Sequence, residues 1–343
     1  MNINKIASIV AVSAGIFAVT ACGGKSMRKL AAERGLDTGY ALAAGDIYPE
    51  KTVKILQNDC NIITSENCMK WGYMRPKKDF WNWGDPDALV AFAEKNGMKV
   101  KWHTLAWHQS NPPFLADMKT RADGIAMLDD YITTIMTRYK GRIYAYDVIN
   151  EMFNEDGTLR DTIWLETIGP DYIEHALQTA HAADPAAKLY LNEYNNEAAG
   201  YAKSDAMYAM VKDFKERGVP IDGIGMQLHL AADQPFDEAA VRRNLQRYAA
   251  IGIDVSFSEV DVRKKVDGKP ESAQAQQDLY CRLMRIALEE KNVKSFICWG
   301  FSDIHSWVPA SFPGYGEALF YNTALKPKLV YKAVVKTIAE NHE

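Results

Sequence analysis

The chain has 343 residues, 48% of them apolar and 24% charged, a composition that can bury a large core and excludes disorder as the dominant state. A formal net charge of -4 offers no electrostatic footprint for a polyanion, which excludes nucleic-acid binding as the main task. Length allows one large domain or two modest ones.

The N-terminus reads as an address. Lys5 is the only charged side chain in residues 1–21, and residues 6–20 form an apolar run too short for a comfortable transmembrane span. The run ends in Val19-Thr20-Ala21-Cys22, small residues just before a cysteine. This segment resembles a bacterial lipoprotein signal, whose cleavage leaves the cysteine as a lipid-bearing first residue. The resemblance implies an exported protein, with residues 1–21 removed and Cys22 lipidated. It would be anchored to a bacterial membrane, expected to be the outer one, with the periplasmic or surface face left open. Residues 22–29 are expected to be a flexible tether before a catalytic domain over residues 30–343. Cys60, Cys68, Cys281 and Cys298 show no CxxC or Cys/His spacing that marks a metal site. Their apolar neighbours favour buried thiols, and their pairing is left open.

From residue 30 onward, strand-length apolar runs alternate with amphipathic helical stretches, without repeat or linker. Strands are expected at 40–42, 62–64, 99–105, 143–149, 188–192, 223–228, 254–258 and 295–299. Helices are expected at 86–95, 125–139, 172–183, 206–217, 238–250 and 274–291, and a last one from Pro327 to Ala339. Asn96-Gly97 and Arg217-Gly218 read as left-handed helix stops. Eight strands with intervening helices predict one α/β domain, a closed (β/α)8 TIM barrel. A doubly wound sheet is the alternative, but the Gly-rich phosphate turn it brings is missing.

Barrel chemistry sits at the C-terminal ends of strands, and polar clusters fall there on nearly every strand. Strand two ends in Ser65-Glu66-Asn67, and strand three runs into His103, Trp107 and His108. Strand four ends in Asn150-Glu151, strand five in Asn192-Glu193-Tyr194-Asn195. Strand six carries Gln227 and His229, strand seven Glu259 and Asp261, and strand eight leads to Trp299, Asp303 and Trp307. Glu151 and Glu259 on separate strands supply the two carboxyls that glycoside hydrolysis needs. The period of two puts Glu259 and Asp261 on one face of their strand, and likewise Gln227 and His229 on one face of the neighbouring strand. His229 is therefore expected to hydrogen-bond Glu259, with Asp261 orienting it. Trp107, Trp299 and Trp307 are candidates to stack on sugar rings, whereas Trp81, Trp83 and Trp164 read as packing. Lys70 alone would read as a solvated lysine.

The motifs NIITSENCMKW (61–71), HTLAWH (103–108), DVINE (147–151), DGIGMQLH (222–229), SEVD (258–261) and WGFSDIHSW (299–307) occur in one order along the chain. On these the chain resembles glycoside hydrolase family 10, the retaining endo-β-1,4-xylanases, from about residue 38 to the C-terminus. The resemblance implies a (β/α)8 barrel, no metal or organic cofactor, and hydrolysis inside a xylan chain. It implies Glu151 as general acid/base, Glu259 as nucleophile and Asn150 on the 2-hydroxyl of the sugar being cleaved. His103, Trp107, Gln227, His229 and Trp299 surround that sugar. Glu66, Asn67 and Lys70 take the next sugar on the non-reducing side, Trp307 lies over the glycone, and Tyr194 faces the leaving group. Trp71 is expected to pack behind its strand. The partners implied are xylan, its oligosaccharides and a membrane; a monomer is expected. Departures are Trp102 for a usual Gly, Glu193 for Asp, Ser258 for Thr and Asn322 for Asp, of which Trp102 puts the shape near His103 in doubt. The alternatives are the same barrel on another β-glycan, a non-catalytic glycan-binding lipoprotein, and a metal-dependent hydrolase using His103, His108, His229 and His305.

Overall fold

A computed structural model describes residues 26–340. The signal segment, Cys22 and the start of the expected tether lie outside the described residues. The strands are β1 (Asp37–Leu42), β2 (Ile62–Ser65), β3 (Lys99–Ala106), β4 (Ala145–Asn150), β5 (Lys188–Glu193), β6 (Gly223–Met226), β7 (His229–Ala231), β8 (Asp254–Lys265), β9 (Val293–Cys298) and β10 (Tyr315–Gly316). β1 to β6, then β8 and β9, pair in parallel, and β9 pairs back onto β1. This closes the expected eight-stranded barrel and leaves no open edge among those strands. The strands are buried on both faces, which is why they read as near-continuous apolar runs. β7 and β10 lie outside the ring, pairing with β8 in parallel and antiparallel fashion respectively.

Four expectations are corrected. Residues 26–29, expected in the tether, belong to the folded domain. Ser26 caps the helix Met27–Glu33, which buries Met27, Leu30 and Ala31. Strand six stops at Met226, because Leu228 adopts a left-handed φ of 59°, and His229 opens β7 instead. Strand seven runs on to Lys265, carried past the barrel rim by its pairing with β10. The last helix starts at Leu329 rather than Pro327. Other helices begin up to a turn early, at Arg121, Ala202 and Pro270, because their first turns are polar and carry no periodic signal. The helix Glu50–Asp59 between β1 and β2 was not anticipated. It buries only Thr52, Leu56 and Asp59, too few apolar positions to show a stripe.

The outer layer is aromatic. Trp71 stacks on Tyr131 at 3.6 Å, Trp81 on Trp83 at 4.9 Å, and Trp164 is fully packed, as expected for these side chains. Trp102 packs outward against Tyr139, with centroids 5.0 Å apart. It alternates with Lys101 and His103, which point into the barrel, so this departure leaves the shape of the cleft intact.

Candidate active site

The C-terminal ends of the barrel strands surround a cleft of about 740 Å³. Glu66, Asn67, Lys70, His103, Trp107, Asn150, Glu151, Tyr194, Gln227, His229, Glu259, Trp299 and Trp307 all line it. Every residue expected to touch substrate is thus brought to one place. Asp261 lies just beneath, fully buried.

Glu151 terminates β4 with φ of 58°, a left-handed conformation that costs a non-glycine residue about 1–3 kcal/mol. Its backbone is fixed by its own N–H donating to Asn192 O at 2.8 Å and its O accepting from Arg160 Nε at 3.0 Å. Both carboxyl oxygens are occupied. Trp107 Nε1 donates to Oε2 at 2.9 Å, while Gln227 Nε2 and Asn150 Nδ2 donate to Oε1 at 3.1 and 3.3 Å. His108 Nδ1 lies 3.7 Å from Oε2, and burial pushes that imidazole's pKa down against the pull of Glu151.

Glu259 is built differently. Asn192 Nδ2 donates to Oε1 at 2.6 Å, and His229 Nε2 stands 3.3 Å from Oε2. His229 Nδ1 faces Asp261 Oδ2 at 2.8 Å. With carboxylates at both ring nitrogens, the imidazole satisfies both only as the doubly protonated cation. Burial works against that charge, but Asp261 and Glu259 outweigh it and push His229 up to about 10. Burial would likewise raise Glu259. The His229 hydrogen bond and the charges of His103, His229 and Lys70 prevail and hold it down at about 2. Asp261 Oδ2 also accepts from Trp307 Nε1 at 2.8 Å, so one carboxylate orients both the histidine and the tryptophan.

An amide bridge joins the two carboxyls. Asn192 Nδ2 contacts both Glu259 Oε1 and, at 2.8 Å, Asn150 Oδ1, and Asn150 Nδ2 reaches Glu151. Ser258 Oγ donates to Asn192 Oδ1 at 2.6 Å. A Cβ on Gly225 of neighbouring β6 would come within 1.8 Å of that same oxygen, so only glycine leaves room for the bridge.

Around the rim, Lys70 Nζ stands 5.0 and 5.4 Å from the ring centroids of Trp107 and Trp299, and 3.3 Å from Asn67 Oδ1. It is 9% exposed, not a solvated surface lysine; burial lowers its pKa, opposed by Glu259, Glu66 and Glu151. Burial raises Glu66, with Lys70 opposing. On the other side, Tyr194 OH accepts from Arg160 at 2.8 Å, and Lys203 Nζ sits 3.3 Å from the Tyr194 ring centroid. Lys203 also pairs with Glu193 at 3.0 Å, whose carboxyl burial pushes up to about 7 against the lysine's pull. Glu193 accepts the backbone N–H groups of Phe153 and Tyr194, so this longer acid locks the loop after Glu151 to β5.

Sequence reasoning missed several participants. Asn192 was noted at a strand end but not as the link between the glutamates. Arg160 comes from an irregular loop with no pattern to read. Lys101 and Asp147 form a buried pair beneath His103, with Asp147 Oδ2 at 3.0 Å from His103 Nδ1. Strand alternation placed Lys101 and His103 on one face and could have flagged that pair. The inward side chains of β3, β4, β5 and β8 together make a carboxylate pair in distinct environments, one ionised by a cationic cage and one among neutral donors.

The model of the family described as Glycosyl hydrolase family 10 matches residues 26–337. The chain belongs to glycosyl hydrolase family 10. Among curated family members, it is 36% identical to endo-1,4-beta-xylanase B of Thermotoga neapolitana, over 92% of each chain. It is also 36% identical to endo-1,4-beta-xylanase A of Fusarium oxysporum f. sp. lycopersici, over 88% of this chain and 94% of that one. Among solved family structures, native xylanase 10B of Thermotoga maritima superposes with a TM-score of 0.87 at 37% identity, covering 91% of this chain and 98% of that one. Xylanase 10B of Thermotoga petrophila, solved in complex with xylobiose, gives 0.87 at 36% identity, covering 91% and 97%.

Proposed function

We infer that the protein hydrolyses internal β-1,4-xylosidic bonds of xylan by double displacement, with Glu151 as acid/base and Glu259 as nucleophile. Glu151 protonates the leaving oxygen while Glu259 attacks the anomeric carbon. Glu151 then takes a proton from water, which releases the sugar with retained configuration. The observation that carries the assignment is the contrast between the two carboxyls. Glu259 is caged by cations that keep it an anion fit to attack, while Glu151 takes its hydrogen bonds from neutral donors on Trp107, Gln227 and Asn150, beside a His108 imidazole at 3.7 Å that burial pushes toward its neutral form.

In this reading Asn150 holds the 2-hydroxyl of the sugar being cleaved, and His103, Trp107, Gln227, His229 and Trp299 enclose that sugar. Glu66, Asn67 and Lys70 bind the next glycone sugar, Trp307 stacks over the glycone, and Tyr194 receives the leaving-group side. Asp261 acts through His229 and Trp307. The chemistry runs on these side chains alone, without metal or organic cofactor, in a monomer. The decisive assay incubates the purified protein with soluble xylan, with cellulose and galactan in parallel. Short xylo-oligosaccharides from xylan alone are expected; release from another polymer instead moves the substrate, and release from none overturns the catalytic reading.

We further propose that Cys22 carries a lipid and anchors the enzyme to a bacterial outer membrane. The support is the apolar run over residues 6–20 followed by small residues and Cys22. Two acyl tails on one residue suffice for stable anchoring. Labelled palmitate should enter the wild type and not Cys22→Ala; equal labelling would sink the proposal.

A further inference from the structure

The helix Met27–Glu33 sits at one end of the barrel. Ser26 caps it, and the Leu36 N–H donates to Ala31 O at 3.1 Å just before β1 begins at Asp37. Arg28 Nη1 and Nη2 donate to the carbonyls of Asn96 and Gly97 at 2.9 and 2.5 Å, just ahead of β3. The helix therefore lies at the N-terminal ends of the strands, and the cleft lies at the opposite ends. β1, with six residues, spans about 20 Å between the two. Cys22 stands four residues before Ser26, and four residues reach at most about 14 Å. A lipid on Cys22 thus holds Ser26 too close to a bilayer for the cleft end to rest on that same bilayer.

The N-terminal end of the barrel is also basic. Lys29 lies on this first helix. Lys95, Lys140, Lys215 and Lys291 lie where helices end and run toward β3, β4, β6 and β9. All five are exposed, and among the described residues none pairs with a carboxylate. Lys140 and Lys291 reach only the carbonyls of Ala183 and Leu288. The carboxylates of this end are already matched: Asp37 by Lys99, Glu94 by Arg142, Asp222 by Lys188 and Asp254 by Lys294. Even with Glu33 set against one of the five, this end keeps a surplus of positive charge in a chain whose net charge is -4.

We propose that the barrel end opposite the cleft lies against the anionic phosphate headgroups of the membrane that holds Cys22, so that the cleft opens away from the bilayer. The inference rests on the lipid reading of Cys22 given above. Reach brings this end to the membrane, and charge seats it there, since basic side chains near an anionic surface are attracted within a Debye length. Hydrolysis uses none of these lysines, so the anchored surface and the catalytic one are separate ends of one barrel.

The test seats the lipid-bearing full chain in vesicles of phosphatidylcholine with a quarter phosphatidylglycerol. A brief pulse of an amine-acetylating reagent then reads each lysine by mass spectrometry, with the same protein in detergent as reference. Labelling of Lys95, Lys140, Lys215 and Lys291 should fall severalfold on the vesicles. Lys77 and Lys78, exposed on the loop after β2 at the cleft end, should label as in detergent. Reversing the four lysines together, as Lys95→Glu, Lys140→Glu, Lys215→Glu and Lys291→Glu, should return Lys29 and Lys99 to their detergent labelling. Equal labelling on vesicles and in detergent overturns the proposal, and is what lysines placed only to balance helix dipoles would give. Protection of Lys77 and Lys78 instead overturns it by putting the cleft on the membrane. Protection of Lys29 and Lys99 that survives the charge reversal overturns the role of charge. A wild type that stays off the vesicles, as Cys22→Ala should, overturns the lipid reading itself.

Discussion

Glu259 and Glu151 are the same amino acid with opposite neighbours, and their variants should fail differently. Glu151→Ala should lose about 10²–10⁴ in kcat/KM on xylan, where the leaving oxygen needs a proton. On a nitrophenyl xylobioside, whose leaving group departs unaided, its first step should be nearly normal, visible as a burst of nitrophenol. Glu259→Ala should show no burst on either substrate yet still bind xylo-oligosaccharides by calorimetry; wild-type-like turnover there removes the nucleophile assignment. His229 sets the charge of Glu259. Glu259 is held at about 2 chiefly by its histidine partner against burial, so His229→Gln should move the acid limb of the kcat/KM profile to higher pH. An unmoved limb means that His103 and Lys70 suffice.

At the scale of elements, the helix Met27–Glu33 is part of the barrel's own packing. Met27 is 2% exposed, and Arg28 reaches the carbonyls of Asn96 and Gly97 at the end of a neighbouring helix. Met27→Ala should therefore cost about 2–5 kcal/mol in denaturant unfolding, whereas a residue in a free tether would cost nothing. The helix was hidden in the sequence because Lys25, Arg28 and Lys29 give residues 22–29 a polar look. The eight barrel strands were legible because burial on both faces forces apolar runs. Their ends were not: β8 extends seven residues past Ser258 through contacts with β10, and Leu228 breaks strand six through a backbone conformation no side-chain pattern encodes. Gln227 and His229 reach the cleft all the same. The candidate pair Glu151 and Glu259 was legible because strand ends must carry the chemistry of a barrel. The Asn192 bridge was not, since an asparagine at a strand end looks like any turn residue until the strands close.

For the whole molecule, two shifted groups set opposite edges of a stability window. Glu259, lowered from 4.5 to about 2, contributes stability that is fully present above 4.5 and is lost as pH falls through about 2. His229, raised from 6.5 to about 10, contributes stability that is fully present below 6.5 and is lost as pH rises through about 10. Both contributions are complete between 4.5 and 6.5. The difference in Tm between wild type and His229→Gln should therefore shrink as pH rises from 6.5 toward 10. A constant difference would mean that the histidine stabilises by packing alone. The cysteines point the same way as their sequence neighbours. Cys60, Cys68, Cys281 and Cys298 are free thiols, with only Cys281 partly accessible. A reductant should leave the Tm unchanged, and among these four an alkylating reagent should modify Cys281 first by mass spectrometry; a drop in Tm on reduction would reveal a disulfide.

The bridge from Glu259 through Asn192 and Asn150 to Glu151 has one more consequence. Retaining hydrolysis needs one carboxyl to keep a proton while the other stays without one, across a short gap. The two asparagines act as a spacer between the carboxyls: the Asn192 amide spans Glu259 and Asn150, the Asn150 amide reaches Glu151, and the glycine at 225 leaves room for that spacer in the wall of the barrel.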